Sequence, residues 1–137
     1  MLSLRTVVAA IDFSPGAAVA LVRAADLARR SGAVLHLLHA DVLFHASGDG
    51  AAPAAVPASA LRVRVERFAM ETLGLRDADG LDRLEPTVAV VRDVSVHAAV
   101  LRYLGAVDPD LLVVGTHGRS GPVFDHPHCP HTRRLQV

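Results

Sequence analysis

Residues 6–15 read Thr-Val-Val-Ala-Ala-Ile-Asp-Phe-Ser-Pro, and they contain the transition that decides the fold. The run at 6–11 is apolar and rich in β-branched and small residues, which is typical of a strand buried on both faces of a parallel sheet. Ser14 is a good helix N-cap, and Pro15 suits the first helical position because its missing N–H would have no partner there. The stretch therefore predicts a strand that passes through a short turn directly into a helix.

The same alternation continues along the chain. The first helix is predicted to run to about Ser31 and to end at Gly32, whose missing side chain suits a left-handed cap. The order β-α-β-α-β-α-β predicts an α/β fold with a doubly wound, Rossmann-like parallel sheet. The later elements are a strand at 34–39, a helix at about 59–73, a strand at 87–91, a helix at about 96–104 closed by Gly105, and a strand at 111–114.

The composition indicates one globular domain over residues 1–137, with 51% hydrophobic and 20% charged residues. This apolar content excludes disorder throughout, and the single Cys129 excludes a disulfide scaffold. No apolar run approaches the ~18 residues that span a bilayer, and no signal peptide is evident. We therefore expect a cytoplasmic protein with no membrane partner, and the net charge of +0 disfavours nucleic acid. Residues 41–57 are expected to be a mobile loop and 122–137 an irregular tail, in which only 132–137 suits a short fifth strand.

Two strand ends carry residues that suit a ligand site. Asp12 follows the first strand, and residues 115–121, Gly-Thr-His-Gly-Arg-Ser-Gly, follow the fourth. Ligands of open α/β sheets bind beyond the carboxyl ends of the strands, and the amides of a glycine-rich loop can surround anionic oxygens. However, Asp12 also suits a turn-initiating acid, and Gly115 and Gly118 also suit a tight turn. The residues alone leave both interpretations open.

These motifs together resemble the universal stress protein family over residues 4–121. The resemblance is carried by 6–15, by Ala-Ala-Asp-Leu-Ala-Arg at 24–29, and by Asp-Pro-Asp-Leu-Leu-Val-Val-Gly-Thr-His-Gly-Arg-Ser-Gly at 108–121. It implies a five-stranded sheet of order 3-2-1-4-5 and a site for ATP or AMP between the first and fourth strands. The positions implied for that site are Ala10, Asp12, Ala40, Gly115, His117 and Gly118.

The sequence departs from the family's nucleotide motif in its second half. That motif has Gly, two residues, Gly, nine residues, and then Gly followed by Ser or Thr. Gly115 and Gly118 match its start, but His128 and Cys129 stand at its end. Cys129-Pro130 also comes early, as if a segment before the fifth strand were missing, and this leaves that strand open. We expect weakened phosphate binding and a homodimer that acts in stress-linked regulation; the alternative is a member that binds no nucleotide and acts through dimerisation or partner contacts.

Neither a resident metal nor catalysis is expected. His126, His128, Cys129 and His131 are soft or imidazole donors, but their close alternation with prolines matches no established structural zinc spacing. His36 and His39 lie three residues apart on a strand, so they should face opposite sides of the sheet and form no ligand pair. No Ser-His-Asp set, paired carboxylates or Cys-His arrangement stands out, so we expect a binding protein and not an enzyme.

Overall fold

The computed structural model of the chain describes residues 3–42, 56–74, 84–115 and 133–136. Strands and helices alternate along the described residues in the order β-α-β-α-β-α-β-β. The strands are β1 (Thr6–Ala10), β2 (Val34–Val42), β3 (Thr87–Asp93), β4 (Leu111–Val114) and β5 (Arg133–Gln136), and the helices are α1 (Pro15–Ser31), α2 (Ala58–Thr72) and α3 (Val96–Val107).

The strands form one sheet in the order β3-β2-β1-β4-β5, and neighbouring strands are parallel throughout. The predicted α/β class and the order 3-2-1-4 are confirmed. The short β5 lies beside β4, in the position that the resemblance implies for a fifth strand. The order reverses at β1, because β1 pairs with β2 on one side and with β4 on the other.

Alternate residues of β1 separate the core into two layers. Val7, Ala9 and Ile11 pack with α1 and α2 on one face, whereas Val8 packs with α3 on the other. Because side chains of a strand alternate between faces, a strand covered by helices on both sides must be apolar at every position. This requirement explains the abundance of Ala, Val and Leu in the chain.

The two ends of α1 are as the sequence predicts. The Oγ of Ser14 accepts a hydrogen bond from the backbone N–H of Ala17 at 3.1 Å, and Pro15 occupies the first turn. Gly32 ends the helix with φ 67°, and its N–H bonds to the carbonyl of Ala28. Both ends are set by local residue chemistry, because a hydroxyl satisfies a free amide at one end and glycine accepts positive φ at the other.

The predicted end of the second strand at residue 39 is wrong. β2 runs to Val42, and β3 runs to Asp93 instead of 91, with Asp41 opposite Arg92. The Nε of Arg92 donates to the Oδ2 of Asp41 at 2.8 Å, so a cross-strand ion pair sits in what was expected to be a loop. The remainder of the expected loop, at 43–55, lies outside the described residues, as does 122–132 of the expected tail.

The predicted end of the third helix at Gly105 is also wrong. α3 continues to Val107, and Asp108 takes the left-handed cap position with φ 49° and its N–H bonded to the carbonyl of Leu104. Short polar side chains tolerate this conformation, and the proline that follows cannot extend the helix. The chain then returns to the sheet, where the Oδ2 of Asp110 accepts the backbone N–H groups of Arg5 and Thr6 at 2.8 and 3.0 Å.

Candidate functional site

The carboxyl ends of β1 and β4 meet beside the beginning of α1. Ala9 lies opposite Val113 in the parallel pairing, so continuing this register places Gly115 level with Ile11. A Cβ built on Gly115 would lie 2.5 Å from the carbonyl carbon and 2.7 Å from the carbonyl oxygen of Gly16. The end of β4 therefore touches the backbone of the first turn of α1. Close approach of two backbones requires glycine at Gly115, whether or not a ligand binds.

Asp12 forms the turn between β1 and α1. Its Oδ1 accepts the backbone N–H of Ser14 at 3.0 Å and also the hydroxyl of Ser14, while the side chain of Asp12 is exposed. This is the turn-initiating role that the sequence left open as an alternative. The carboxylate lies at the carboxyl edge of the sheet, where the predicted site is, and a ligand contact by Asp12 stays a prediction.

Phe13, between these two polar residues, was not among the predicted site residues. Its φ of 64° lies in the left-handed region, which a residue with a large side chain rarely adopts. Its ring lies 4.8 Å from the ring of His39 and 5.6 Å from that of Phe68, measured between centroids. The guanidinium carbon of Arg64 lies 4.0 Å from the same ring centroid. The signal in the sequence was an aromatic residue at a turn in a chain with 4% aromatics.

His39 connects this aromatic cluster to the end of β1. Its Nδ1 lies 2.7 Å from the carbonyl oxygen of Ile11. Since a carbonyl oxygen only accepts, Nδ1 carries the proton and donates. The bond fixes the orientation of the imidazole against the ring of Phe13.

Ala10 and Ala40 lie near the carboxyl ends of two neighbouring strands, β1 and β2. Both are half-buried, and both pack against the core layer beneath α3. Ala10 is level with Leu38, and Ala40 lies two residues further along β2. Ala10, Asp12 and Gly115 therefore lie at the carboxyl ends of β1 and β4, whereas Ala40, expected just past the second strand, lies inside β2, two residues before its end. The other two predicted positions, His117 and Gly118, lie outside the described residues.

His36 and His39 face opposite sides of the sheet, as predicted. The Nδ1 of His36 lies 2.5 Å from the hydroxyl of Tyr103 on α3, whereas His39 contacts Phe13 on the face of α1 and α2. Burial lowers the pKa of His36, because it disfavours the charged imidazolium, and burial raises the pKa of Tyr103 for the same reason. The pair is a packing contact of the α3 layer, away from the β1–β4 edge.

A groove lined mostly by apolar atoms lies at the outer edge of the sheet, beside β3. It has a volume of about 380 Å³ and includes Arg92 and Tyr103 in its lining. Arg102 donates to the carbonyl of Arg92 at 2.7 Å, and the Nη2 of Arg92 is buried without a hydrogen-bond partner. The Nε of the same guanidinium already donates to Asp41, so Arg92 serves the pairing of β2 with β3.

The described residues contain no group of three or more His, Cys, Asp or Glu placed to hold a metal ion. The cluster of His126, His128, Cys129 and His131 lies outside them, so its behaviour stays a prediction. Within the described ranges, no helix is both long and apolar enough to cross a bilayer.

Comparison with solved structures gives one consistent fold. A universal stress protein in complex with cAMP is 26% identical, with a TM-score of 0.57, over 88% of this chain and 78% of the other. A universal stress protein family member from Burkholderia pseudomallei is 22% identical, with a TM-score of 0.62, over 100% of this chain and 98% of the other. The universal stress protein UspA from Lactobacillus plantarum is 14% identical, with a TM-score of 0.58, over 100% and 99%.

No match was found among curated proteins. The sequence profile of the Universal stress protein family, however, matches residues 3–123, which is most of the chain. The match begins just before β1 and extends past β4, so it includes both strand ends of the candidate site. The chain belongs to the universal stress protein family.

Proposed function

We propose that the protein is a stress-response regulatory domain that binds an adenine nucleotide at the carboxyl ends of β1 and β4. The observation that carries the proposal is the meeting of Asp12, Gly115 and the first turn of α1 at the point where the strand order reverses. A universal stress protein 26% identical to this chain has been solved with cAMP, which supports an adenine nucleotide as the ligand class.

The chemistry of this edge suits a nucleoside. An exposed carboxylate can accept hydrogen bonds from ribose hydroxyls, and Ala10 and Ala40 carry small, half-buried side chains. In the first turn of α1, Pro15 has no N–H and the Ala17 N–H already donates to Ser14, so the helix favours a nearby anion through its dipole. The second half of the family's glycine motif is absent from the sequence, so we propose that adenosine and its first phosphate provide most of the affinity.

The role we propose is binding without catalysis. Asp12, at the end of β1, already accepts the amide and the hydroxyl of Ser14, and this engagement supports a role in binding. We further propose that the protein works in the cytoplasm as a homodimer, with no nucleic acid partner.

Titration calorimetry tests the proposal, using ATP, ADP, AMP, adenosine and cAMP at concentrations that detect an affinity of ~100 μM. We expect binding with similar affinity for adenosine and ATP. Asp12→Asn should weaken it at least tenfold, because Asn keeps an oxygen that accepts the Ser14 amide but loses the charge. The matched control is Asp26→Asn, which removes an acid on the solvent side of α1 that pairs with Arg30. Absence of heat with every ligand would contradict nucleotide binding.

A second candidate function is a member that binds no nucleotide and acts through dimerisation or partner contacts. It is favoured by the fact that Asp12 and Gly115 each have a complete structural role, one in the turn and one in the contact with Gly16. Light scattering across a wide concentration range separates the two. A dimer that gives no heat with nucleotides supports the second candidate, whereas a monomer that binds adenosine supports the first without its dimer.

A further inference from the structure

We propose that Phe13 is a positioning residue, whose ring holds the backbone that presents the Asp12 carboxylate to the ligand; this inference rests on the proposed nucleotide site. Phe13 adopts φ 64°, a conformation that is unfavourable for any residue with a Cβ. Such a conformation persists only where the surroundings hold it in place. The contacts of the Phe13 ring must therefore hold the backbone in this conformation.

The ring is held from two elements. His39 of β2 lies 4.8 Å away, centroid to centroid, and it is itself tied to the end of β1 through the carbonyl of Ile11. Phe68 of α2 meets the ring edge-on at 5.6 Å, which is a favoured aromatic geometry. Arg64, one helical turn earlier, places its guanidinium carbon 4.0 Å from the ring centroid, at cation–π distance. These contacts hold Phe13 on the face of α1 and α2.

The position of the ring determines that of its neighbours. Because Phe13 is fixed on the inner face with positive φ, the chain turns sharply between Asp12 and Ser14. That turn brings the Ser14 amide to 3.0 Å from the Oδ1 of Asp12 and leaves the carboxylate exposed at the edge of the sheet. An extended backbone at Phe13 would separate the two groups. The ring thus acts on the ligand through Asp12, without touching the ligand itself.

The test compares nucleotide affinity with stability in three variants. Phe13→Tyr keeps the ring and should bind adenosine within twofold of the wild type. Phe13→Ala removes the ring and should weaken binding at least tenfold. Leu104→Ala truncates a buried side chain near the end of α3, in the core layer on the opposite face of the sheet from Phe13, so it should lower Tm but leave affinity within twofold. If Phe13→Ala does not fold, Phe13→Leu takes its place, since it keeps apolar bulk but has no aromatic face.

A double variant separates positioning from a general loss of structure. If Phe13 acts through Asp12, Asp12→Asn and Phe13→Ala together should weaken binding no more than Asp12→Asn alone. Additive losses, or an affinity of Phe13→Ala within twofold of the wild type, would overturn the proposal.

A readout that needs no nucleotide keeps this inference distinct from the proposed function. In the wild type, the Ser14 amide proton should be protected from hydrogen exchange measured by NMR, because it is bonded to the Asp12 carboxylate. Phe13→Tyr and Leu104→Ala should keep this protection, and Phe13→Ala should lose it. If the wild type binds no nucleotide, the proposed function fails, and the amide protection alone decides the role of Phe13. Unchanged protection in Phe13→Ala would refute that role.

Discussion

Three glycines of this protein should respond to substitution by alanine for three different physical reasons. Gly115→Ala places a methyl group within 2.9 Å of three backbone atoms of Gly16, and backbone cannot rotate away as a side chain can. Overpacking of this kind costs about 1–3 kcal/mol. An unfolding entropy of ~2.1 cal/mol/K per residue converts 1 kcal/mol into about 3–4 °C for a chain of this length. We expect Gly115→Ala to lower Tm by about 4–10 °C.

Gly105→Ala provides the matched control. Gly105 lies inside α3, is exposed, and has nothing within 4 Å of a built Cβ. Alanine in an exposed helix interior is favoured over glycine by about 0.5–1 kcal/mol, so Tm should rise by about 2–3 °C. Gly32→Ala has equal space, but its φ of 67° makes any side chain unfavourable by about 1 kcal/mol. Its Tm should fall by about 3–4 °C.

The assay is thermal unfolding followed by circular dichroism on the three variants and the wild type, at one protein concentration. The change in Tm of Gly105→Ala reports helix propensity, and that of Gly32→Ala reports backbone conformation. The change in Tm of Gly115→Ala reports the contact between two backbones. A Tm of Gly115→Ala equal to or above that of the wild type would mean that β4 and α1 do not touch. Such a result would remove the contact on which the geometry of the candidate site depends.

Three further predictions concern the core, an acid and a histidine. Leu21→Ala should lower the free energy of unfolding, measured with urea, by about 2–5 kcal/mol, whereas Val22→Ala should change it by no more than about 0.5 kcal/mol. The reason is that Leu21 is 0% exposed and its neighbour Val22 is 50% exposed. Backbone N–H bonds hold the pKa of Asp110 below its usual 3.8, so its contribution is present above that value and lost as pH falls through the folded pKa. Asp110→Asn should therefore lower Tm at neutral pH, with the two curves converging in acid. Burial lowers the pKa of His36 below its usual 6.5, so the folded state binds fewer protons than the unfolded state does. Tm should therefore rise with pH up to about 6.5, and His36→Gln should remove this rise of Tm with pH.

The elements that depend on nearby residues could be predicted from the sequence. Ser14, Pro15 and Gly32 define α1 because each acts on backbone groups within one turn of itself. The doubly wound parallel sheet follows from the alternation of apolar strands with helices, whereas the strand order was implied by the family resemblance. The resemblance at residues 6–15 and 108–121 identified the family.

The elements that depend on distant residues could not be predicted in this way. The length of β2 is set by its pairing with β3 and by the ion pair between Asp41 and Arg92. At the candidate site, Gly115 was interpreted as a turn or a phosphate-loop residue, whereas its spatial neighbour is Gly16. Phe13 was passed over because its partners come from β2 and α2, and no local pattern reports them.

The central position of β1 has a consequence for how the protein folds. Residues 6–42 contain β1, α1 and β2, so this part can pair while the rest of the chain is still being synthesised. The candidate site needs Gly115 beside Gly16 as well, and contacts between residues so far apart in sequence form slowly. The edge that we propose for the nucleotide is therefore complete only when β4 has docked. A ligand held there would stabilise the finished sheet and not the early half, so nucleotide supply would influence how much of the newly made chain stays folded.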